Sequence, residues 1–248
     1  MKVKLRMTGN QHVNIKSHVI ASDGNEAGSL LLCEPVFREK NSILLVKEIM
    51  HIPYEAYDSR TPTFLSWPTE RFLMLHYERI EKEGLSLIML HSHPTDFNDF
   101  SKTDNESDLK ILVRLTSCIE GKQPHGSAIM LPDGSIKARI ISQNDKFIPM
   151  DMISVAGDDI HFFGNFPQND ADPEYVKKTD QVYGSATTSI MRKLTVGVVG
   201  CSGTGSPSIE LLLRYHTGHL VLIDFDKIEE GNLNRILCPE CKTLRITP

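Results

Sequence analysis

Residues 194–226, LTVGVVGCSGTGSPSIELLLRYHTGHLVLIDFD, constrain the fold of this chain more than any other stretch. Two apolar runs of strand length flank a glycine-rich loop and a segment with the apolar spacing of a helix. A strand, a helix and a second strand in this order form a parallel pair, because the crossover helix returns the chain to the same end of the sheet. The pattern predicts an α/β protein that contains the beginning of a parallel-sheet domain.

The first 150 residues predict a different arrangement, a mixed sheet with flanking helices. Strands are predicted for the runs EAGSLLLCEPV, NSILLVKEIM, GSAIMLP and IKARII, and LSLIMLHSHP predicts a buried strand that ends at its histidines. WPTERFLMLHYERIEKEG predicts an amphipathic helix that Gly84 closes, and a further helix is expected to begin near Ser101. We assign these elements to one domain, residues 1–150.

A change in composition marks the predicted domain boundary. Residues 151–181 are rich in Asp, Asn, Gly and Pro and lack sustained periodicity, so we predict a linker or exposed excursion there. The second domain is then expected over residues 182–248, where the helical stretch VYGSATTSIMRK leads into the glycine loop.

Composition excludes several classes of protein. The formal net charge is −5, so the chain lacks the basic surplus that neutralises phosphates, and nucleic acid is not an expected partner. No apolar run approaches the roughly 20 residues of a membrane span, and the amino terminus lacks the pattern of a signal peptide. Five cysteines, an odd number, do not resemble a disulfide framework. We therefore expect a cytoplasmic protein that does not contact a membrane.

The stretch HSHPTDFNDFSKTD, residues 91–104, places chemically active side chains at the end of a buried strand. His91 and His93 alternate with Ser92, so both imidazoles point to the same side. Ser101 and Asp104 follow eight and eleven residues after His93. Imidazole and carboxylate are ordinary zinc ligands, and a site with three of them leaves a fourth position for water. Alternatively, Ser101 and Asp104 form a helix capping box, which needs no metal and is compatible with one.

Hydrolysis at such a site also requires a general acid/base. Zinc lowers the pKa of its water toward about 7, and a nearby carboxylate can accept that proton and later deliver it to a leaving amine. Two upstream glutamates are candidates: Glu26, just before the apolar strand in GNEAGSLLL, and Glu34, in LLCEP. Spacing alone does not choose between them.

Taken together, EAGSLLL, the histidine pair and the Ser-x-x-Asp that follows resemble the JAMM motif of the JAB/MPN/Mov34 family of metalloproteases. The resemblance covers residues 3–148 and implies the JAB/MPN fold, a cytidine-deaminase-like mixed sheet with flanking helices. Family members cut peptide or isopeptide bonds after the C-terminal glycine of ubiquitin and ubiquitin-like proteins. The resemblance therefore implies that the partner is a ubiquitin-like protein with a glycine-ending tail.

The same resemblance implies a role for each residue of the motif. Carried over by position, His91, His93 and Asp104 bind zinc, Glu26 is the general acid/base, and Ser101 helps to hold the oxyanion that forms as water adds to the scissile carbonyl.

The glycine loop VGVVGCSGTGS is a candidate phosphate site, because backbone N–H groups and a helix N-terminus can hold phosphate oxygens there. Its candidate residues are Gly200, Gly203, Gly205 and Ser206. Ser202 stands where the commonest dinucleotide fingerprint has its middle glycine, which disfavours a plain Rossmann oxidoreductase. The alternative is a tight structural turn without a ligand.

Polar residues after the second strand complete this candidate site. Asp224 lies where a ribose hydroxyl is usually held, and Asn232, Asn234 and Arg235 offer polar groups to the phosphates. Together with Asp226 and the segment GNLNR, the block that begins at Gly200 resembles the ThiF/MoeB/E1 family. That family adenylates the C-terminus of ubiquitin-like proteins. The resemblance implies a Rossmann-like parallel fold that binds ATP and magnesium in its complete form.

The resemblance to ThiF ends soon after Arg235, before the family's downstream lysine, magnesium-binding aspartate and catalytic cysteine could be placed. We therefore expect residues 182–248 to be a truncated domain that does not adenylate alone. Cys238 and Cys241 have the spacing of half a zinc site or of a redox pair. An E2-like partner and a homodimer formed through the ThiF part are further expectations.

Three functions compete at this point. The first is a zinc isopeptidase or peptidase that trims a ubiquitin-like precursor or removes the ubiquitin-like protein from an amine. The second is an E1-like adenylyltransferase in which the JAMM domain docks the substrate tail. The third is a non-catalytic scaffold that binds ubiquitin-like tails. The complete JAMM set beside a curtailed nucleotide domain favours the first function.

Overall fold

The computed structural model describes residues 2–38, 41–95, 97–142, 144–164 and 174–237. The chain forms two compact units, Met1–Pro167 and Gln168–Pro248. Cys238 and Cys241 lie outside the described residues. In the part of the chain that is described, every helix is too short or too polar to cross a membrane.

A mixed nine-stranded sheet forms the centre of the first unit. The strands of this unit are β1 (Lys2–Thr8), β2 (Gly28–Phe37), β3 (Asn41–His51), β4 (Ser59–Thr61), β5 (Phe64–Ser66), β6 (Ser86–Ser92), β7 (Gly126–Met130), β8 (Ile136–Ile141), β9 (Phe147–Pro149), β10 (Met152–Ala156) and β11 (Ile160–Phe163). The order across the sheet is β11-β10-β1-β3-β2-β6-β7-β8-β9, and β4 pairs with β5 in a separate hairpin. Strand β1 is parallel to β3 and β10, and β6 is parallel to β7, whereas β2 is antiparallel to both of its neighbours. The predicted mixed sheet is confirmed.

The helices of the first unit are α1 (Gly9–Val19), α2 (Thr69–Lys82) and α3 (Lys102–Cys118). Gly84 follows α2 with a φ of +63°, a left-handed conformation that glycine adopts at helix ends without steric cost. Helix α1 is not predicted from the sequence, because only Ile15 and Val19 of this helix are buried and the apolar face is correspondingly short.

Both faces of the sheet are covered, which explains the uninterrupted apolar run in β2. Leu31 belongs to a core cluster that includes Ile15 of α1, whereas Leu30 belongs to a second cluster that includes Leu112 of α3. Because successive side chains of a strand point to opposite faces, a strand that is apolar at every position is buried on both sides. The end of the sheet that carries the histidines is therefore supported by two cores.

The structure corrects the beginning of the predicted linker, residues 151–181. Strands β10 and β11 lie within it, and β10 pairs along β1 from Met152 opposite Lys4 to Ala156 opposite Thr8. Each strand is only four or five residues long, and a polar turn separates them, so their apolar residues form no periodic pattern long enough to predict a strand. The first compact unit accordingly extends beyond residue 150, to Pro167.

The second unit contains α4 (Glu174–Tyr183), α5 (Ser185–Lys193), β12 (Thr195–Val199), α6 (Gly205–Arg214) and β13 (His219–Ile223). Strands β12 and β13 are parallel, with Thr195 opposite His219 and Val199 opposite Ile223. The predicted order of strand, glycine loop, helix and parallel strand is confirmed. With the mixed sheet of the first unit, it establishes an α/β fold.

Candidate metal centre

The candidate metal centre lies where the end of β6 meets the beginning of β2. These strands are antiparallel, and His91 lies opposite Gly28. Ser92, between the two histidines, is buried and faces the other way: its hydroxyl oxygen accepts a hydrogen bond of 3.0 Å from the backbone N–H of Ala27. The backbone N–H of Ser92 in turn donates to the carbonyl oxygen of Ala27. This pairing brings the segment that contains Glu26 beside the histidines.

Three side chains converge at this point with donor atoms of the kind that zinc prefers. The Nε2 atoms of His91 and His93 lie 3.0 Å apart. Each of them is 3.4 Å from an oxygen of the Asp104 carboxylate. Ligand atoms that surround one tetrahedral zinc ion at about 2.0–2.2 Å lie about 3.3–3.6 Å from one another. The two separations from the carboxylate fall within this range, and the separation of the two imidazole nitrogens is slightly shorter. Donors of this chemistry therefore lie close enough together to bind a single zinc ion.

A backbone carbonyl fixes the orientation of one of these imidazoles. The ring Nδ1 of His93 lies 2.7 Å from the carbonyl oxygen of Phe97. A carbonyl only accepts hydrogen bonds, so the proton of the neutral ring is on Nδ1 and the lone pair of Nε2 faces Asp104. Metal-binding histidines commonly have such a partner, which sets the tautomer and the ring orientation. The role of Phe97 has no signal in the sequence, because a contact through a backbone atom leaves no side-chain pattern.

Ser101 and Asp104 begin helix α3 as a reciprocal capping box. The Ser101 hydroxyl oxygen accepts a hydrogen bond of 3.1 Å from the Asp104 backbone N–H. The Asp104 carboxylate accepts one of 2.6 Å from the Ser101 backbone N–H. The capping interpretation is therefore confirmed, and the carboxylate that caps the helix is the same one that lies beside the histidines.

The charges at this point are strongly coupled. Burial disfavours ionisation of Asp104, but hydrogen bonds with His91 and His93 outweigh it and hold the pKa of this carboxyl well below its usual range. Burial lowers the pKa of His93, but Asp104 and the Phe97 carbonyl have the larger combined effect and raise it. The carboxylate is thus in its metal-binding form, whereas an imidazolium proton must leave before a metal ion binds.

Glu26, rather than Glu34, faces this site. Glu26 is 6% exposed and lies beside His91 in a cleft of about 190 Å³. Burial raises the pKa of the Glu26 carboxyl, an effect that the nearby His91 and His93 oppose. Glu34 is exposed in the middle of β2. The register of β2 against β6 thus separates two glutamates that spacing in the sequence leaves equivalent.

The β4–β5 hairpin holds the Glu26 segment and forms part of the cleft. The backbone N–H of Glu26 donates to the carbonyl oxygen of Thr61, and Arg60 Nε donates to the carbonyl oxygen of Glu26 at 2.8 Å. The cleft is further lined by Phe64 of this hairpin, by Trp67 immediately after it, and by Ser101 and Asp104 at the start of α3. The role of Arg60 has no signal in the sequence, because Arg60 contacts Glu26 through a backbone atom 34 positions away.

Close backbone contacts define the glycine loop of the second unit. Gly200 has a φ of +85°, and a Cβ atom at Gly205 would lie 1.7 Å from the Gly200 carbonyl oxygen. Both positions therefore require glycine. The carboxylate of Asp224 accepts hydrogen bonds from the backbone N–H groups of Cys201 at 2.7 Å and Asp226 at 3.0 Å. Asp224 is thus attached to the loop through protein atoms.

The remaining candidates of the second unit are distributed around this loop. The Cδ atom of Arg235 is 3.7 Å from the position of a Cβ atom at Gly203. Ser206 is buried, and its hydroxyl oxygen accepts a hydrogen bond from the Leu237 backbone N–H. The side-chain oxygen of Asn232 accepts a hydrogen bond from the backbone N–H of Glu229 and so caps a short turn. Asn234 lies one residue before Arg235, in the turn that follows. The structure therefore brings Arg235 to the loop and gives Ser206 and Asn232 local structural contacts.

Comparison with known proteins identifies two family matches. A family model described as prokaryotic homologs of the JAB domain matches residues 12–143, more than half of the chain. The ThiF family model matches residues 175–242. The two matches follow the division into a JAB unit and a ThiF unit.

Individual relatives match a short part of the chain. Ubiquitin-like modifier-activating enzyme 5 of Bombyx mori is 48% identical over 46 residues, which are 18% of this chain and 12% of that protein. The protein of the same name from Xenopus laevis has the same identity over the same shares. The chain thus spans a small part of these relatives. The solution structure of protein DSY2949 from Desulfitobacterium hafniense aligns with a TM-score of 0.42 and 17% identity, covering 62% of this chain and 94% of that one.

Proposed function

Because the chain belongs to the family of prokaryotic JAB-domain homologs, we propose that it is a zinc-dependent isopeptidase or peptidase that acts at the C-terminal tail of a ubiquitin-like protein. One observation carries the proposal: His91, His93 and Asp104 offer three ligand atoms within 4.8 Å of one another, in a cleft that also contains Glu26. A zinc centre with three protein ligands and a neighbouring carboxylate is the usual composition of a hydrolytic site.

Each residue has a distinct part in this reaction. His91, His93 and Asp104 would hold zinc, which supplies a Lewis acid and a water that ionises near neutral pH. The Glu26 carboxylate accepts a proton from the attacking water and donates it to the leaving amine. The raised pKa of Glu26 suits this exchange, because a carboxyl that is easier to protonate is a better proton carrier near neutral pH.

Ser101 is the candidate for stabilising the oxyanion. Its hydroxyl oxygen accepts a hydrogen bond from the Asp104 backbone N–H. This bond uses a lone pair and not the hydroxyl proton, so it does not fix the direction in which the hydroxyl donates. Ser101 lines the cleft, so this proton can be donated to the oxygen that becomes negative as water adds to the scissile carbonyl.

The second unit supports the choice of substrate class. Proteins that share a 46-residue match with this chain are called ubiquitin-like modifier-activating enzymes, and the ThiF family model matches residues 175–242. We propose that both units act on the same glycine-ending tail, and that the glycine loop with Asp224 and Arg235 contributes to an ATP/Mg²⁺ site. An E2-like partner and a homodimer formed through the ThiF unit belong to the same proposal.

The first test is metal content, measured as zinc per chain by elemental analysis. We expect about one zinc per chain for the purified protein and its loss in His93→Ala. His161→Ala is the matched control, because His161 is an exposed histidine of β11 in the same unit and lies outside the cluster. Zinc retained in His93→Ala, or an equal loss in His161→Ala, would contradict the assignment of the ligands.

The second test is hydrolysis. The zinc-loaded protein is incubated with a ubiquitin-like protein that carries a peptide extension after its terminal glycine, and the products are identified by mass spectrometry. We expect cleavage after that glycine, and loss of cleavage in His93→Ala. Zinc binding without cleavage of any tailed ubiquitin-like substrate would instead favour a scaffold that binds such tails.

A further inference from the structure

A buried arginine, Arg139, contacts the helix that carries Asp104 of the candidate metal centre. Arg139 is on β8, and its side chain is 7% exposed. Its guanidinium lies between two aromatic rings, 3.6 Å from the ring centroid of Phe100 and 3.7 Å from that of Phe147. Burial of a cation is unfavourable unless its donors are satisfied, so the contacts of this side chain indicate what it does.

The guanidinium donates hydrogen bonds in three directions. Nε donates to the Ser127 hydroxyl oxygen at 2.9 Å, across the β7–β8 pair. One terminal nitrogen donates to the Asp108 carboxylate at 2.7 Å, and the other donates to the side-chain oxygen of Asn105. Arg139 therefore connects the sheet to helix α3, since Asn105 and Asp108 both belong to that helix.

These contacts enclose the capping box. Phe100 immediately precedes Ser101, Asn105 immediately follows Asp104, and Asp108 lies one helical turn after Asp104. Arg139 thus holds the chain on both sides of the carboxylate that faces the histidines. A planar guanidinium is suited to this, because its donors have a fixed geometry and it stacks on aromatic rings, whereas a lysine provides neither property.

We propose that Arg139 is a positioning residue for the metal centre, which holds the first two turns of α3 so that Asp104 reaches both His91 and His93. This inference rests on the proposed zinc site. It assigns no contact between Arg139 and the metal ion. The expected consequence is a weaker zinc site when the connection is removed, since loss of residues that orient metal ligands typically lowers metal affinity by about 10–100-fold.

Zinc affinity, measured by competition with a chromogenic chelator, tests the proposal. Removing Arg139 alone leaves the buried Asp108 carboxylate unpaired and endangers folding. The variant for the test is therefore Arg139→Met with Asp108→Leu, which removes both charges, and Arg139→Lys is the second variant because it keeps the charge and loses the planar fork. Arg114→Met is the matched control, since Arg114 is on α3, ten residues after Asp104, and forms an exposed ion pair with Glu70 of α2.

We expect zinc affinity to fall about 10–100-fold in the double variant and in Arg139→Lys, with native circular dichroism and a midpoint of thermal unfolding near that of the wild type in the metal-free state. Arg114→Met is expected to keep wild-type affinity. Unchanged zinc affinity in a folded double variant or in Arg139→Lys would overturn the proposal. So would a loss of zinc affinity that parallels the loss of stability across the double variant, Arg139→Lys and Arg114→Met. Because the measurement does not use hydrolysis, a zinc-binding protein without isopeptidase activity would contradict the proposed function and leave this inference intact.

Discussion

Ser101 and Asp104 bind each other twice, since the side chain of each accepts a hydrogen bond from the backbone N–H of the other. This arrangement begins helix α3 and at the same time fixes the direction of the Asp104 carboxylate, whose two oxygens lie 3.4 Å from the two histidine Nε2 atoms. The capping interpretation and the metal-ligand interpretation of these residues are therefore compatible, because the capping carboxylate still has free lone pairs on the side of the histidines.

We predict that Ser101→Ala has two separable effects. Loss of the cap should lower the free energy of unfolding by about 1 kcal/mol, measured by urea denaturation. Loss of an oxyanion donor should lower kcat by about 10²–10³-fold. Ser101→Thr retains a hydroxyl and serves as the matched variant, with a smaller change in both quantities. If Ser101→Ala lost stability with unchanged kcat, the residue would be a helix cap alone.

We predict that Glu26→Gln retains zinc and loses hydrolysis. The amide has nearly the same shape as the carboxyl but does not carry a proton between the water and the leaving amine. We therefore expect kcat to fall by about 10²–10⁴-fold, the usual contribution of general acid–base catalysis. Zinc content should remain near that of the wild type, because Glu26 is not a ligand in this assignment. Glu34→Gln is the control, since Glu34 is on the same segment of chain and is exposed. Loss of zinc in Glu26→Gln would show that its role is misassigned.

We predict a contribution of His125 to the pH dependence of stability. His125 is buried, and its Nδ1 accepts a hydrogen bond of 3.0 Å from the Leu87 backbone N–H. Burial lowers its pKa from 6.5 to about 4. Between these values the unfolded chain binds a proton that the folded chain does not, so stability decreases as pH falls from 6.5 toward 4.

The variant that isolates this contribution is His125→Asn, which keeps a hydrogen-bond acceptor without an imidazole that titrates. Between pH 7 and pH 5, the wild type should lose about 2 kcal/mol more unfolding free energy than the variant, from 1.36 kcal/mol per pH unit below the unfolded pKa. Urea denaturation of both proteins at the two pH values measures this difference. Equal losses in the two proteins would mean that His125 titrates alike in the folded and unfolded chain.

We predict that Gly205→Ala disrupts the glycine loop. The added methyl group would overlap the Gly200 carbonyl oxygen, so β12 and α6 must separate locally. Hydrogen–deuterium exchange of the intact chain should show at least tenfold faster exchange of amides in these two elements. Gly197→Ala is the matched control, because a Cβ atom at Gly197 has no neighbour within 4 Å among the described residues. Wild-type protection in Gly205→Ala would exclude the close contact.

Several features of this protein were predictable from the sequence because they depend on local interactions. The strand that ends at Ser92, the helix that begins after Ser101 and the turn around the glycine loop each follow from periodicity or capping within a few residues. The short strands β10 and β11 were not predictable in the same way, because β10 is defined by pairing with β1, about 150 residues earlier, and β11 pairs with β10.

The sequence by itself determined the residue types of a zinc site and placed two histidines on one side of a strand. Spacing in the sequence left two glutamates open, and the tertiary structure separates them, because the antiparallel register of β2 on β6 puts Gly28 opposite His91 and brings Glu26, not Glu34, into the cleft. The tertiary structure also decided that Arg139 of β8 binds Asp108 of α3, 31 positions away in the chain. Strand register and contacts between distant elements are set by the packing of the whole unit, so no local pattern contains them.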